Sequence, residues 1–353
     1  MKIGKLKLLI LFTLLVALMV TLTGCGGAEK KEEPPKQSEQ KQEEPKPQVK
    51  ARKLNYGITL VMDNHYGLLG LKWNELIKQK TNGELELAMF PSSQLGGEVQ
   101  MIQAARAGTQ DTLVTAQAVL ENTIPEWSLF DVPYLFDSVE QANKVLSKGK
   151  VPEEFLKMLE PHGLIGFGFL SVMERNVFSN NPIETVDDMK GMKVRVMQSP
   201  GYVGAYNALG ASPTPMAYNE VYVALQQKVV DGADTSPDQF MQDKFVEVAK
   251  YYNITKVHYL PAVLLMGQPT WKSLTQEQQK AVTEAADEAL EYARGIYMDH
   301  YNKAIKDMQD RGVTVVKPDL TEFKKKAQPA VEQLVKDIPR GQELFDMIQE
   351  AKK

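Results

Sequence analysis

Cysteine is almost missing from this chain: among 353 residues there is one, Cys25. An internal disulfide is therefore excluded, and so is a thiolate cluster for zinc or iron-sulfur chemistry. Histidine is nearly as scarce, and His65, His162, His258 and His300 are far apart in sequence. No Gly-x-Ser-x-Gly elbow, Walker loop or His-Glu-x-x-His pair occurs, so the motifs that usually announce catalysis are lacking. The expectation is a protein that is not an enzyme and needs no cofactor or metal. A basic surplus is absent too: net charge is -4, and -7 once the three lysines before residue 8 are set aside. Proteins that neutralise phosphates carry a basic face, so this balance argues against a nucleic-acid partner.

What is present begins with an address. Lys2, Lys5 and Lys7 precede an uncharged, mostly apolar run from Leu8 to Gly24, the pattern of a secretory signal over residues 1–24. It ends in Leu22-Thr23-Gly24-Cys25, which resembles a bacterial lipobox. That resemblance implies that Cys25 is lipidated, becomes the first residue of the mature chain and holds an otherwise soluble body at a membrane surface. Residues 28–50 carry six glutamates, six lysines, four prolines and four glutamines, and no aromatic. Such a segment cannot build a core, so residues 25–51 read as the lipidated cysteine plus an extended, disordered tether.

From Ala51 the pattern becomes that of a folded body. With 43% hydrophobic residues overall there is material for a sizeable core, and the length suggests two domains. Leu54–Leu60, Glu84–Phe90 and Asp111–Thr115 read as strands. Tyr66–Lys80 and Glu98–Ala107 between them read as helices, closed by Asn82-Gly83 and by Gly108. The same alternation restarts after Gly163, with strands over Leu164–Leu170, Arg175–Ser179, Met192–Met197, Ser212–Met216 and Val230–Thr235. Strands alternating with helices predict an α/β fold with largely parallel sheets. Thr275-x-x-Gln278 is a capping box opening a helical stretch to about Arg311, roughly 50 Å long at 1.5 Å per residue. Such a helix outspans one domain. It is expected to bridge two lobes of one molecule, with a ligand cleft between them.

Arginine is used sparingly, seven times among 41 basic residues. Arg175 opens a predicted strand, and Arg195 alternates with valines in Lys193-Val-Arg-Val-Met197. Alternation alone leaves two readings, a solvated strand face or a cleft. In a cleft, the guanidinium fork suits a carboxylate, which it can hold bidentately.

Four stretches carry a family resemblance: Phe90-Pro-Ser-Ser-Gln-Leu-Gly96, Asp188-Met-Lys-Gly-Met-Lys-Val-Arg-Val196, Ala208-Leu-Gly-Ala-Ser-Pro-Thr-Pro-Met216 and Glu220-Val-Tyr-Val-Ala-Leu-Gln-Gln-Lys-Val-Val-Asp-Gly232. Together they resemble the solute-binding proteins of tripartite ATP-independent periplasmic (TRAP) transporters, over essentially Arg52 to the C terminus. The resemblance implies a two-lobed fold of the periplasmic-binding-protein kind, with hinge strands and a long helix spanning both lobes. Lobe I would comprise 52–172 plus 261–300, and lobe II 173–260 plus 301–353. It also implies a small organic acid as ligand, integral membrane transporter subunits as partners and an extracytoplasmic location. A sensory lipoprotein presenting the same ligand, or an enzyme acting on organic acids, is the alternative.

The resemblance further implies that Arg195 pairs with the ligand carboxylate, that Arg175 assists, that Tyr218 packs on the ligand, and that Thr59, Thr115 and Gln198 make polar contacts. After Asp231-Gly232, where many relatives carry glutamate or glutamine followed by asparagine, this chain reads Ala233-Asp234-Thr235-Ser236-Pro237. Thr235 then offers a hydroxyl in place of an amide and makes fewer hydrogen bonds. The Val-Met-Gln-Ser-Pro200 segment is similar to members associated with sugar acids, which favours a hexuronate or related hydroxy acid over a plain dicarboxylate.

Overall fold

Short apolar and β-branched runs form buried strands: Thr112–Ala116 reads Thr-Leu-Val-Thr-Ala and Ala262–Gly267 reads Ala-Val-Leu-Leu-Met-Gly, neither with an exposed residue. The computed structural model describes residues 51–353. The expected leader, Cys25 and the tether up to residue 50 lie outside the described residues. In chain order the strands are β1 (Arg52–Gly57), β2 (Leu85–Phe90), β3 (Thr112–Ala116), β4 (Leu164–Phe169), β5 (Met173–Ser179), β6 (Lys193–Val196), β7 (Ser212–Pro215), β8 (Gly232–Thr235), β9 (Tyr251–Leu260), β10 (Ala262–Gly267) and β11 (Thr314–Val316). They make two sheets, ordered β2-β1-β3-β10-β4 and β11-β9-β5-β8-β6-β7.

The sheets are mixed rather than largely parallel, which corrects the sequence-based expectation. β1 runs parallel to β2 and β3, and β6 parallel to β7 and β8, as strand-helix-strand units require. The antiparallel pairs all involve β5 or β10. These strands adjoin the places where the chain passes from one sheet to the other, at residues 170–172 and at Pro261. A strand entering a sheet from its neighbour sheet does not arrive by the helical return that makes partners parallel. The two passages lie side by side: Leu170 N–H donates to the Ala262 carbonyl at 2.9 Å, and Met173 pairs with Leu260.

The third link is the helix Gln276–Asp310, 35 residues long, opened by the expected box in which Thr275 accepts from the Gln278 amide. Ala281, Ala285, Ala286, Ala289 and Ala293 form its buried stripe. Small side chains let it lie close to its neighbours, so that Trp73 Nε1 donates to the Val282 carbonyl at 3.1 Å. It packs on the helix His65–Lys80 and on β4 from the first sheet's side, and on the helix Pro237–Gln242 and β11 from the second's. An aromatic group under the first sheet, Trp127, Phe130, Phe155 and Phe169, has ring centroids 4.4 to 6.0 Å apart, within the range where edge and tilted pairs add to burial. Among the described residues no helix is long and apolar enough to cross a membrane.

Close backbone approach gives the first prediction. A Cβ on Gly267, at the end of β10, would stand 2.2 Å from the Ala105 carbonyl oxygen, whereas one on Gly295 in the long helix meets nothing. Gly267→Ala should destabilise by about 1–3 kcal/mol through overpacking. Gly295→Ala should stabilise by about 0.5–1 kcal/mol through helix propensity. Urea unfolding of the two variants checks both signs.

Candidate functional site

Where β1 and β3 end, facing β5 and β6, the two sheets enclose a cavity of about 270 Å³ including its opening to solvent. Thr59, Leu60, Tyr66, Glu98 and Ala116 line it from the first sheet's side. Met173, Arg175, Arg195, Met197, Tyr218, Gln239 and Leu260 line it from the second. Much of that space is opening, and little of it is enclosed room. Strand ends of open α/β sheets are where such sites form.

The two arginines differ in their company. Arg175 sits on β5 beside β8, whose register brings Val177 opposite Asp234. Its Nε donates to Asp234 Oδ2 at 3.2 Å, its Nη2 to Oδ1 at 3.0 Å and to the Asp234 carbonyl, and its Nη1 to Gln239 Oε1 at 3.3 Å. Both partners are buried. Burial opposes the Arg175 charge, but the Asp234 carboxylate more than offsets it, leaving the guanidinium's pKa above its ordinary value. Burial likewise opposes ionisation of Asp234, and Arg175 holds that carboxyl below its usual range. The pair is complete in itself.

Arg195 is not so compensated. It lies on β6 between β7 and β8 with 2% of its surface exposed, and Val194 and Val196 on the opposite face are wholly buried. The solvated-face reading therefore fails. Among the described residues its hydrogen bonds go only to the Met216 carbonyl, from Nε at 3.0 Å and Nη2 at 2.7 Å, and its guanidinium carbon stands 5.7 Å from the centre of the Tyr218 ring. Among the described residues it makes no ion pair with a carboxylate, although the Asp234 and Glu98 charges favour its ionised form. Burial, followed by repulsion from Arg175, lowers its pKa to about 10. A cation held this way in low dielectric is costly unless an anion arrives.

Tyr218 is set by its hydroxyl, which donates to Asp243 Oδ2. Burial raises the Asp243 carboxyl to about 6 against the pull of that bond. Of the seven residues expected at the site, Thr59, Arg175, Arg195 and Tyr218 line the cavity. Thr115 stands one layer back, with Oγ1 3.3 Å from the Ala116 carbonyl, and Thr235 donates at 2.5 Å to Gln239 Oε1, so it acts through a residue that does line the cavity. Gln198 is exposed and outside the lining; its backbone carbonyl accepts from Asn122 Nδ2 at 2.9 Å. The strand has ended at Val196, so alternation no longer aims residue 198 at the cleft.

Sequence reasoning passed over Glu98 and Gln239. Glu98 opens a helix two residues beyond the Phe90–Gly96 motif, where an acid reads as a cap. Gln239 lies two residues past the divergent 233–237 segment. Glu98 Oε1 accepts from the Ala116 amide at 2.8 Å. Burial raises this carboxyl's pKa, although the Ala116 amide, both guanidiniums and the Thr115 hydroxyl pull the other way. Among the described residues no group of three or more His, Cys, Asp or Glu side chains is placed to hold a metal.

Around the cavity, hydrogen bonds run between the two sides. Asn64 Nδ2 donates to Gln242 Oε1 at 2.6 Å, and Gly201 N–H to Glu121 Oε1 at 3.4 Å. Ser199 Oγ donates at 2.5 Å to Asp131 Oδ2, whose Oδ1 accepts from Gln117 Nε2 at 2.6 Å. Asp131 and Glu121 are buried neighbours, and burial first, then the Glu121 charge, pushes the Asp131 carboxyl well above its ordinary range. Burial pushes His258, whose Nε2 lies 3.1 Å from the Asp131 carbonyl, down to about 4, so it is neutral at pH 7.

A raised folded-state carboxyl pKa stabilises the fold only at low pH. As pH rises past the unfolded value of about 4, the unfolded chain loses its proton first and stability falls until the folded group ionises. Asp131→Asn removes that titration while keeping an oxygen for Gln117. The variant should lose less melting temperature than the parent between pH 5 and pH 8. Parallel pH-melting curves for the two proteins would contradict the assignment.

Comparison with known proteins places this geometry in context. The model of bacterial extracellular solute-binding protein family 7 matches residues 62–337. The 2,3-diketo-L-gulonate-binding periplasmic protein of Escherichia coli is 31% identical over 307 residues, covering 85% of this chain and 92% of that one. The C4-dicarboxylate-binding periplasmic protein of Rhodobacter capsulatus is 30% identical, with 74% and 78% covered. Among solved structures, the sugar acid binding protein of Advenella mimigardefordensis in complex with galactonate has a TM-score of 0.82 at 28% identity, over 86% of this chain and 99% of that one. A TRAP periplasmic solute-binding protein of a Polaromonas species bound to D-erythronate has a TM-score of 0.81 at 33% identity, over 84% and 98%.

Proposed function

The chain belongs to bacterial extracellular solute-binding protein family 7, and from that premise we propose that it captures a hydroxylated organic acid of the sugar-acid kind and delivers it to the membrane subunits of a TRAP transporter. One observation carries the choice of an acid: Arg195 is a buried guanidinium that, among the described residues, forms no ion pair with a carboxylate, and it lines the cavity between the sheets. A bidentate carboxylate would neutralise it and satisfy the donors that Met216 leaves over. Galactonate, erythronate, galacturonate and glucuronate in the related structures support hydroxy acids as the class.

In this reading the protein binds and releases its solute unchanged. Arg195 anchors the carboxylate, Tyr218 backs it, Arg175 and Thr59 touch further oxygens, and Thr115 and Thr235 hold the lining in place. Lobe I (52–172 plus 261–300) and lobe II (173–260 plus 301–353) close by a hinge at residues 170–172 and Pro261. Lipidation at Cys25 keeps the body at the outer face of the membrane, close to its transporter. Cys25→Ser should release the protein or leave it unprocessed. Unchanged membrane attachment in cell fractionation would refute the anchor.

The decisive experiment compares the two arginines. Arg195→Ala should weaken binding of the best acid found by a thermal-shift screen by about 3 kcal/mol or more, roughly a hundredfold. The same change removes a cost from the empty protein, so its melting temperature should hold or rise. Arg195→Lys should rescue binding only in part, because the ammonium lacks the fork. Arg175→Ala should do the opposite to stability, lowering it by about 3–5 kcal/mol, because Asp234 is left buried and unpaired. Calorimetric titration returning wild-type affinity for folded Arg195→Ala would overturn the acid-anchor reading.

A further inference from the structure

Outside the ligand cavity two acids are buried side by side. Glu121 lies in the turn Gln117–Asn122 and Asp131 ends the turn Pro125–Asp131, both on the first sheet's side. Their carboxyls are close enough to hydrogen-bond each other, and burial raises the pKa of both. Asp131 is served by Gln117 at 2.6 Å and Ser199 at 2.5 Å, and Glu121 Oε1 by the Gly201 amide at 3.4 Å. Glu121 Oε2, however, is buried and accepts no hydrogen bond. Two ionised carboxylates have no donor between them and repel. One proton held between them satisfies Oε2 and removes a charge.

The cover over this pair comes from the second sheet's side. Ser199 and Gly201 stand at the N-terminal end of the helix Pro200–Ala208. A Cβ on Gly201 would lie 2.6 Å from Asp131 Cβ, so glycine there permits the approach. Other groups around the pair leave it uncompensated. On β9, His258 is neutral at pH 7, and Arg175 and Asp234 beyond it answer each other. Burial holds the Tyr202 and Tyr206 hydroxyls well above their usual range, with the Tyr202 ring stacked on His258 at 3.9 Å. From the two C-terminal helices, Lys324 lies over the Tyr134 ring, and Lys352 is held by Asp137 and the Leu135 carbonyl. The helix Glu98–Ala107 packs on Gln117–Asn122, and its Glu98 is engaged by the Ala116 amide.

We propose that Glu121 and Asp131 form a proton-binding site completed by lobe closure, so that capture of an acid ligand takes up a proton from solution. The inference rests on the reading that an acid ligand draws the lobes together. With the lobes apart, the pair loses Ser199 and Gly201 and meets water, where carboxyls ionise near about 4. Closure buries the two together, and one then keeps a proton at a pH where both had lost it. Affinity is therefore highest at low pH, where the open pair is already protonated. It falls as pH rises from the open value towards the raised closed value. Pairing of a ligand carboxylate with Arg195 contributes no such slope, because both stay ionised over that range.

The test counts protons. Calorimetric titration at about pH 5.5, in buffers of different ionisation enthalpy, would use the tightest binder among galactonate, D-erythronate, galacturonate and glucuronate. The parent should take up about 0.5–1 proton per ligand, and its affinity should fall by roughly three- to tenfold per pH unit above that. Asp131→Asn and Glu121→Gln each put an amide donor where the proton sat. Each should bind with an uptake below about 0.2 and without the slope. A merely structural role would change affinity and leave the proton count alone. Uptake near zero in the parent, or unchanged in either folded variant, would overturn the proton site and leave the acid reading intact. A parent that binds none of the four acids would overturn the acid reading and this inference with it.

Discussion

A guanidinium buried to 2% exposure that, among the described residues, forms no ion pair with a carboxylate is the constraint on which this molecule turns. Arg195 could be relieved by an acid of the protein itself, as Arg175 is by Asp234. It is instead given one carbonyl and the face of Tyr218. In the proposed function, the energetic deficit that remains is what an anionic solute would remove on arrival, so that selectivity for acids would be stored in the fold as unrealised stabilisation. The scaffold has to tolerate this cost, and the buried Val194 and Val196 of β6 and the alanine-lined long helix supply compensating burial.

The rest of the architecture serves to place that charge between two sheets. Two short passages, at residues 170–172 and at Pro261, lie against each other by backbone hydrogen bonds, while the 35-residue helix packs on elements of both sheets. Two close-paired covalent passages are the arrangement that the proposed hinge closure between lobes would use. Polar contacts around the cavity, Asn64 to Gln242 and Ser199 to Asp131, join the two sides.

Much of the fold was legible locally. The helix Glu98–Ala107, its Gly108 stop at φ 76° and the capping box at Thr275 all follow from short-range periodicity and from backbone demands that a few residues express alone. Sheet direction was not legible. The strand-helix alternation predicts parallel neighbours, but β5 and β10 enter from the other sheet and run antiparallel to the strands beside them. Nothing in a ten-residue window records where a strand's predecessor lies.

The site divides the same way. The sequence by itself determined that few arginines exist to anchor an acid, that two of them sit on strands, and that the chain shares four motifs with a transporter-linked family. Only the tertiary structure decided which arginine is available. Asp234 is 59 residues from Arg175, and the β5–β8 register makes them partners, while Arg195 on the next strand receives none. The same long-range pairing carried Glu98 into the cavity and left Gln198 outside it. Charge compensation is a property of distances in space, and a linear pattern fixes which residues carry charge without fixing which charges meet.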